Sequence, residues 1–327
     1  MYGIQSTAAR YTWAGYYLLV LISSLIGNTT ILIAAIKYQA FKLHRLLVVI
    51  ILHVAVCDLL FCTVSPVLPM MISMIADGWV LGRWFSYVQG YSSFYIKAVG
   101  MSLICTMTSS KLLVLRFPLK ARSVETKQAH IGCAVIWTLV LSLPVTLILF
   151  YGDNIFFSYQ HYSYSVDTSS WKYLMPVLIV IFMLIPLTIV IITTSLLIRY
   201  LIKSRRTSRR CQAAPRWQGI ATVSLTALIY CISILPYAIY RITESYFEKQ
   251  SAFYTTYYRI ALSCSFLDIV SNFFIYCATV RSFRQWLRLK INWFYQLVTN
   301  VISNNGNLYC FIVFVQLNVN ILLWFIN

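Results

Sequence analysis

The chain has 327 residues and is short of charge, and shorter still of acid: charged residues make up 10% of it, with 8 Asp plus Glu against 26 Lys plus Arg. A soluble domain carries nearer a quarter of charged residues, so this composition does not build a water-facing surface. An ordinary soluble enzyme is excluded. Glycine is scarce too, 11 in all, and no glycine-rich phosphate loop occurs. The 4 histidines, His44, His53, His130 and His161, show no HExxH or other paired metal-binding spacing. The chain is therefore not expected to be an enzyme.

What it has in excess is apolar length, with 60% hydrophobic and 16% aromatic residues. About 20 predominantly apolar residues cross a bilayer as a helix. Seven stretches qualify: Ala14 to Ile36, Leu46 to Ile75, Tyr87 to Val114, Ala129 to Tyr151, Tyr173 to Ile198, Trp217 to Ile242 and Thr255 to Val280. The segment Arg281 to Ile291 places Phe283, Leu287 and Ile291 on one face and basic residues on the other, which suits a helix lying on a membrane surface. The expected fold is an all-α membrane protein, a seven-transmembrane-helix bundle over 14–280 with a short N-terminal segment 1–13. An amphipathic helix over 281–291 and a tail over 292–327 follow. The residues before Ala14 are few and polar, so the first run reads as an anchor rather than a cleaved leader. In the tail, Leu308 to Ile326 is apolar with Gln316, Asn318 and Asn320 at its centre. A membrane-lying segment, an eighth span and an artefactual chain end all remain open there.

The excess positive charge faces either nucleic acid or the anionic cytoplasmic leaflet of a membrane, and its placement decides. Basic residues gather in connections on one side: Lys37, Lys42 and Arg45, then Arg116, Lys120, Arg122 and Lys127. The run from Arg199 to Arg216 and then Arg281, Arg284, Arg288 and Lys290 complete the set, with Glu125 as its one acid. On the other side Arg10, Arg83, Lys172, Arg241, Lys249 and Arg259 are nearly balanced by Asp77, Asp153, Asp167, Glu244 and Glu248. The net charge of +18 thus falls on one side, which is expected to be cytoplasmic. A multi-pass plasma-membrane protein with its N-terminus outside follows. A nucleic-acid binder concentrates charge with stacking aromatics on a folded domain, so membrane lipid is the expected partner and nucleic acid is not. The 9 cysteines lie in spans, on the basic side or, for Cys310, in the tail. None lies in a loop of the opposite side, so no extracellular disulfide is expected there.

Ordered markers narrow the class. Gly27-Asn28 lies in the first span, and the second reads His53-Val54-Ala55-Val56-Cys57-Asp58-Leu59-Leu60, similar to an NLAxADLL signature. Trp79 with Gly82 precedes the third span, Trp137 lies in the fourth, Pro186 in the fifth and Pro236 in the sixth. The seventh ends Asn272-Phe273-Phe274-Ile275-Tyr276, and Phe283-Arg284 follows. Each marker alone is weak; the ordered set is strong. Over Tyr16 to Lys290 the chain resembles the rhodopsin-like (class A) G-protein-coupled receptors, as a divergent orphan member.

Departures from that pattern are as informative as matches. Where the family carries DRY, this chain has Ser110-Lys111-Leu112 ahead of Pro118-Leu119. Lys111 lacks the planar fork of Arg, and Ser110 removes the acid that would restrain it. Ser233-Ile234-Leu235-Pro236 stands for CWxP, Thr194 for a Tyr, Phe273 for a Pro, and Ser86 for the disulfide cysteine. The resemblance places Lys111, Leu112 and Arg216 at the G-protein contact, and these losses imply altered or weakened coupling. Without the disulfide, the aromatic loop Gly152 to Ser170 is expected to be a more mobile lid, or an interface anchor.

Ionisable groups at membrane depth face a cavity or a partner. By resemblance Asp58 is the sodium-site aspartate, in an activation network with Asn28, Gly100, Asp268, Asn272 and Tyr276. Gly100 stands where a Ser would help hold the ion, and Asp268 supplies the missing ligand in one reading. A sodium ion between Asp58 and Asp268 is that reading; a neutral carboxyl pair is the alternative, and no other cofactor is implied. Lys97 either pairs with Asp268 across the bundle, the favoured reading, or anchors an anionic ligand group. Ser93 stands where amine receptors carry Asp, and Phe266 where opsins carry the retinal Lys. The ligand-binding candidates are Ser93, Lys97, Ile234, Tyr237, Arg241 and Phe266, with Arg259 nearby.

The resemblance implies a receptor that binds an extracellular small molecule or peptide. It would signal to a heterotrimeric G protein or arrestin through the basic loop Ile202 to Arg216. A non-coupling decoy or heteromer partner is the alternative. A transporter or channel is a second, against which stand the odd number of spans and the lack of inverted repeats.

Overall fold

The computed structural model describes residues 7–36, 41, 43–151, 155–159, 162–166, 174–207, 214–243 and 252–303. Seven of its helical segments are long and apolar enough to cross a membrane, the first starting at Thr7 rather than Ala14 and the third at Arg83 rather than Tyr87. They are built from α1 (Thr7–Ile36), α2 (Arg45–Thr63) with α3 (Val67–Ala76), and α4 (Arg83–Arg116). A short α5 (Pro118–Arg122) follows, then α6 (Thr126–Val140) with α7 (Ser142–Tyr151), and a hairpin of β1 (Ile155–Ser158) and β2 (Ser163–Val166). The fifth span joins α8 (Leu174–Ile179) to α9 (Ile185–Thr207), the sixth is α10 (Ala214–Thr243), and the seventh is α11 (Ala252–Cys264) with α12 (Leu267–Thr279). The chain is a multi-pass membrane protein with an all-α bundle.

Proline explains most breaks in the spans. It has no amide donor, and its ring clashes with the carbonyl four residues back. Pro66 caps α3 and ends α2, and Pro144 sits four residues after Val140, where α6 stops. A π-helical turn over Val180–Leu184 takes up the strain ahead of Pro186, while Pro236 lies within a continuous α10. The seventh span breaks at Ser265-Phe266, where no proline occurs, and α12 runs unbroken through Phe273.

Residues from Ile96 to Met107 bury most sides of α4, which makes it the central helix of the bundle. It meets α2, α6, α9 and α10. Leu19, Ile26, Leu139, Leu149, Ile232 and Phe274 point outward and stay exposed. Such an apolar exterior suits lipid, because burying it in water would cost the free energy that lipid supplies.

After the seventh span, α13 (Arg281–Ser303) continues well past Ile291. Phe283 is fully buried. Its ring stacks on Phe41 at 5.1 Å and meets Tyr276 and Trp286 edge-on and stacked, respectively. Arg284 Nη1 donates to the carbonyls of Cys277 and Ala278, both at 2.7 Å, so a cation closes the carbonyl end of α12. The apolar segment Leu308 to Ile326 lies outside the described residues.

Candidate functional site

At the end of the bundle that carries the N-terminus, the β1–β2 hairpin lies over the helices. Its strands pair antiparallel, Phe157 opposite Tyr164. Ser86, in the disulfide position, turns its hydroxyl to the Arg83 carbonyl of its own helix. The hairpin is held by other means. The Tyr164 amide donates to Gln89 Oε1 at 2.8 Å, and the Tyr162 hydroxyl donates to Asp77 Oδ1 at 3.0 Å. Asp77 also pairs with Arg10 of α1. The Trp79 ring packs edge-on against Tyr164 at 4.8 Å and near Phe157 at 6.2 Å. Polar and aromatic ties to α1, α3 and α4 thus hold the described hairpin where a disulfide would.

The hydrogen bonds from Arg10, and then from Tyr162, hold the Asp77 carboxyl below its usual range. A depressed carboxylate contributes stability above its unfolded pKa of about 3.9, and that contribution is lost as pH falls through the folded value. Hydrogen-exchange protection of the hairpin amides, corrected for intrinsic rates, is expected to be flat from neutral pH to about 5 and to fall only below about 4. In an Asp77→Asn variant that acid-dependent step is expected to disappear.

Beneath the hairpin lies a narrow cavity of about 60 Å³, room for a few waters. Ser93, Lys97, Tyr237 and Arg241 line it, with Gln89, Phe61, Met70, Tyr164, Tyr240 and Tyr258 among the rest of its wall. Two of the six candidates fall outside. Ile234 is packed in the core, and Phe266 is buried edge-on against Tyr17 at 5.7 Å, near Phe61 at 6.0 Å. Apolar packing claims both, because the break at Ser265-Phe266 turns Phe266 toward α1 and α2. Gln89, Tyr240 and Tyr258 carry no sequence signal of their own, since tyrosines are spread along the whole chain.

At the cavity floor the Lys97 ammonium, 5% exposed as a residue, is fully engaged. It donates to the Ser265 carbonyl at 2.6 Å and to Asp268 Oδ1 and Oδ2 at 3.2 and 3.1 Å. Three donors thus meet three acceptors, with the Phe61 ring 4.4 Å from the charge. The ion pair weighed from the sequence is formed, and it places a cation on a carbonyl at the break in the seventh span. Close by, Asn272 Nδ2 donates to Asp58 Oδ2 at 2.8 Å, while Asn28 bridges Ser24 and the Ile269 carbonyl. Gly100 faces α10 and α2: a Cβ there would stand in ordinary contact, 3.4 Å from the Tyr230 hydroxyl oxygen and 3.5 Å from Cys57 Sγ. The Tyr230 hydroxyl donates to the Lys97 carbonyl at 3.2 Å. This arrangement does not suit a sodium ion between Asp58 and Asp268. Both oxygens of Asp268 already face an ammonium, and Gly100 offers no oxygen from a side chain.

At the opposite, basic end, Lys111 is buried. A Cβ on Gly219 would stand 2.6 Å from Lys111 Nζ, so α10 closes over the lysine because residue 219 has no side chain. Thr193 Oγ1 donates to Thr108 Oγ1 at 2.8 Å, and Thr222 Oγ1 to Thr279 Oγ1 at 2.8 Å, tying α9 to α4 and α10 to α12. Lys111 and the half-buried Leu112 are therefore covered rather than presented to a partner in this arrangement. The Arg216 side chain and the loop toward it lie outside the described residues. Tyr276 packs edge-on against Phe41 at 5.5 Å.

Seven spans, a cavity under a hairpin and a polar cluster at mid-bundle define a receptor-type membrane protein. The family described as 7 transmembrane receptor (rhodopsin family) matches residues 27–276, and the chain belongs to that family. Lysophosphatidic acid receptor 4 of Homo sapiens is 28% identical over 285 residues, 82% of this chain and 74% of that receptor. The Gq-coupled rhodopsin of Mizuhopecten yessoensis is 23% identical over 70% of this chain, and proteinase-activated receptor 1 of Mus musculus 27% identical over 67%. The chain spans about half the length of these last two, 49% and 50%. All three are receptors, and the chain is a G-protein-coupled receptor by family rather than an enzyme.

Proposed function

We propose that this receptor stands in the plasma membrane with its N-terminus outside. It takes an anionic, amphipathic ligand into the cavity beneath the hairpin and signals to a heterotrimeric G protein at the basic end. One observation carries the reading: Arg241 stands in a described cavity wall of aromatic side chains with no carboxylate, while the Lys97 cation at the floor is held by Asp268. A cation above an apolar wall suits a phosphate or carboxylate head with an apolar body. That a relative is named for lysophosphatidic acid supports this ligand class. The cavity is narrow, so side chains must swing aside for a ligand to enter.

Lysophosphatidic acid is the probe, with the uncharged monoacylglycerol as its control, in a G-protein activation assay. The phosphate-bearing lipid alone is expected to activate. Arg241→Gln is expected to weaken its potency about 10- to 150-fold, the loss of one charge-assisted hydrogen bond of about 1.5–3 kcal/mol. Equal responses to both lipids, or an unchanged Arg241→Gln response, would defeat the reading. A second reading, binding without coupling, is favoured by Lys111 lying covered under α10. Binding with no activation, and activation regained in Lys111→Arg, would establish it.

Within the same reading the Lys97 ammonium serves as the tethered counter-ion of the mid-bundle carboxylates, in place of diffusible sodium. Probe potency is expected to be the same in sodium chloride and in choline chloride at equal ionic strength. A shift that appears in the sodium salt alone and vanishes in Asp58→Asn would contradict it.

A further inference from the structure

Packing pairs two histidines that sequence spacing left apart. His53 lies on α2 and His130 on α6, and His53 Nε2 stands 3.2 Å from His130 Nδ1. Their ring centroids are 5.4 Å apart with the planes tilted by 59°, and both residues are half-buried. Neither residue lines the cavity, and neither enters the Lys97 cluster or the cover over Lys111. Counting from the first residues of the two helices at a rise of 1.5 Å per residue, His53 lies about 12 Å and His130 about 6 Å in from the basic end. The pair is within about two turns of that surface.

We propose that His53 and His130 form a binding site for a borderline divalent transition ion such as Zn²⁺, which staples the second span to the fourth. The separation carries the argument. Zinc–imidazole bonds of about 2.0–2.1 Å at a tetrahedral angle place two ligating nitrogens about 3.3–3.4 Å apart, close to the 3.2 Å observed. A small rotation of the two rings turns both inward nitrogens from a shared hydrogen bond to a common point beside it.

The proton balance also closes. In the metal-free pair one inward nitrogen carries a proton and the other a lone pair. For the ion to bind, the donor ring moves its proton to its outer nitrogen. Both neutral imidazoles then present lone pairs through His53 Nε2 and His130 Nδ1, with N–H on His53 Nδ1 and His130 Nε2. No net proton is lost and no redox step occurs. Among the described residues no third His, Cys, Asp or Glu joins the pair, so water completes the coordination sphere and the ion exchanges readily. Imidazole selects Zn²⁺ or Ni²⁺ over Ca²⁺ and Mg²⁺, which take oxygen ligands.

The test uses the full chain, purified in detergent and stripped with a chelator, then titrated with Zn²⁺ while heat release and thermal unfolding are followed. One saturable equivalent is expected, with a rise in unfolding temperature that the chelator reverses and that Mg²⁺ does not reproduce. Binding to the folded state alone produces such a rise. His53→Asn and His130→Asn are each expected to weaken binding more than tenfold, while His44→Ala and His161→Ala leave it unchanged. His130→Cys abolishes the imidazole pair but restores a zinc ligand, so it is expected to keep Zn²⁺ binding even if an asparagine variant fails to fold. No saturable binding by the unmodified protein would overturn the proposal. So would binding that survives either asparagine substitution, or its loss in His130→Cys.

Discussion

Replacing Asp268 by Asn is expected to destabilise the bundle by about 3–5 kcal/mol, because it strands a buried ammonium without its counter-charge. Lys97 is 5% exposed and meets both Asp268 oxygens within 3.2 Å. The amide that replaces the carboxylate still accepts a hydrogen bond, but it carries no charge and directs a second set of donors at the ammonium. Lys97→Met has the converse fault, leaving Asp58 and Asp268 buried together with no cation between the helices. The double variant Lys97→Met/Asp268→Asn removes the charge problem altogether, and is expected to recover most of the loss. Breaking a buried pair costs far more than replacing it by neutral groups. Thermal unfolding of the four proteins, treated as a double-mutant cycle, measures the coupling. Additive losses in the double variant would show that the two charges do not depend on each other. Asp58→Asn is the contrast. Among the described residues Asn272 is the one hydrogen-bond partner seen for that carboxylate, so removing its charge is expected to cost little or to stabilise.

Phe283→Ala is expected to cost about 3–5 kcal/mol, the range for truncating a fully buried phenylalanine. Its ring sits among Phe41, Phe273, Tyr276 and Trp286, and those neighbours come from α12, from α13 and from the connection after α1. The cavity left behind therefore opens a joint between elements rather than a space inside one helix, where collapse would be easier. Limited proteolysis at the start of α13 is expected to speed up in step with the lost stability. Phe283→Leu, which keeps most of the volume, is expected to lose much less. An alanine variant as stable as the parent would show that α13 does not dock through this ring.

The spans were legible because lipid demands long apolar runs, whereas the breaks at Pro66, Pro144 and Pro186 emerge only in the structure and α10 runs unbroken through Pro236. The seventh-span break was not legible. With Phe273 in place of a proline α12 runs unbroken past Asn272, but nothing in Ser265-Phe266 announces a break that Lys97 occupies from another helix. The Lys97–Asp268 pair could be weighed from sequence because buried charges need partners. Its consequence for a sodium ion could not, since that depends on both carboxylate oxygens being taken. Ser93, Lys97, Tyr237 and Arg241, named as ligand-binding candidates by resemblance, line one cavity, whereas Ile234 and Phe266, named on the same ground, are packed in the core. The hairpin ties escaped the sequence because Gln89, Asp77 and Tyr162 meet only in three dimensions. The close approach of Lys111 Nζ to Gly219, on another span, is likewise visible only in three dimensions.

On the proposed reading, the cavity beneath the hairpin takes an anionic amphiphile at Arg241, above the Lys97 that Asp268 neutralises. Direct equilibrium binding of labelled lysophosphatidic acid to the purified receptor in lipid nanodiscs tests it without any need for coupling. Saturable binding is predicted, displaced by unlabelled lysophosphatidic acid but not by monoacylglycerol, and weakened in Arg241→Gln. Equal displacement by the uncharged lipid, or unchanged affinity in Arg241→Gln, would contradict it.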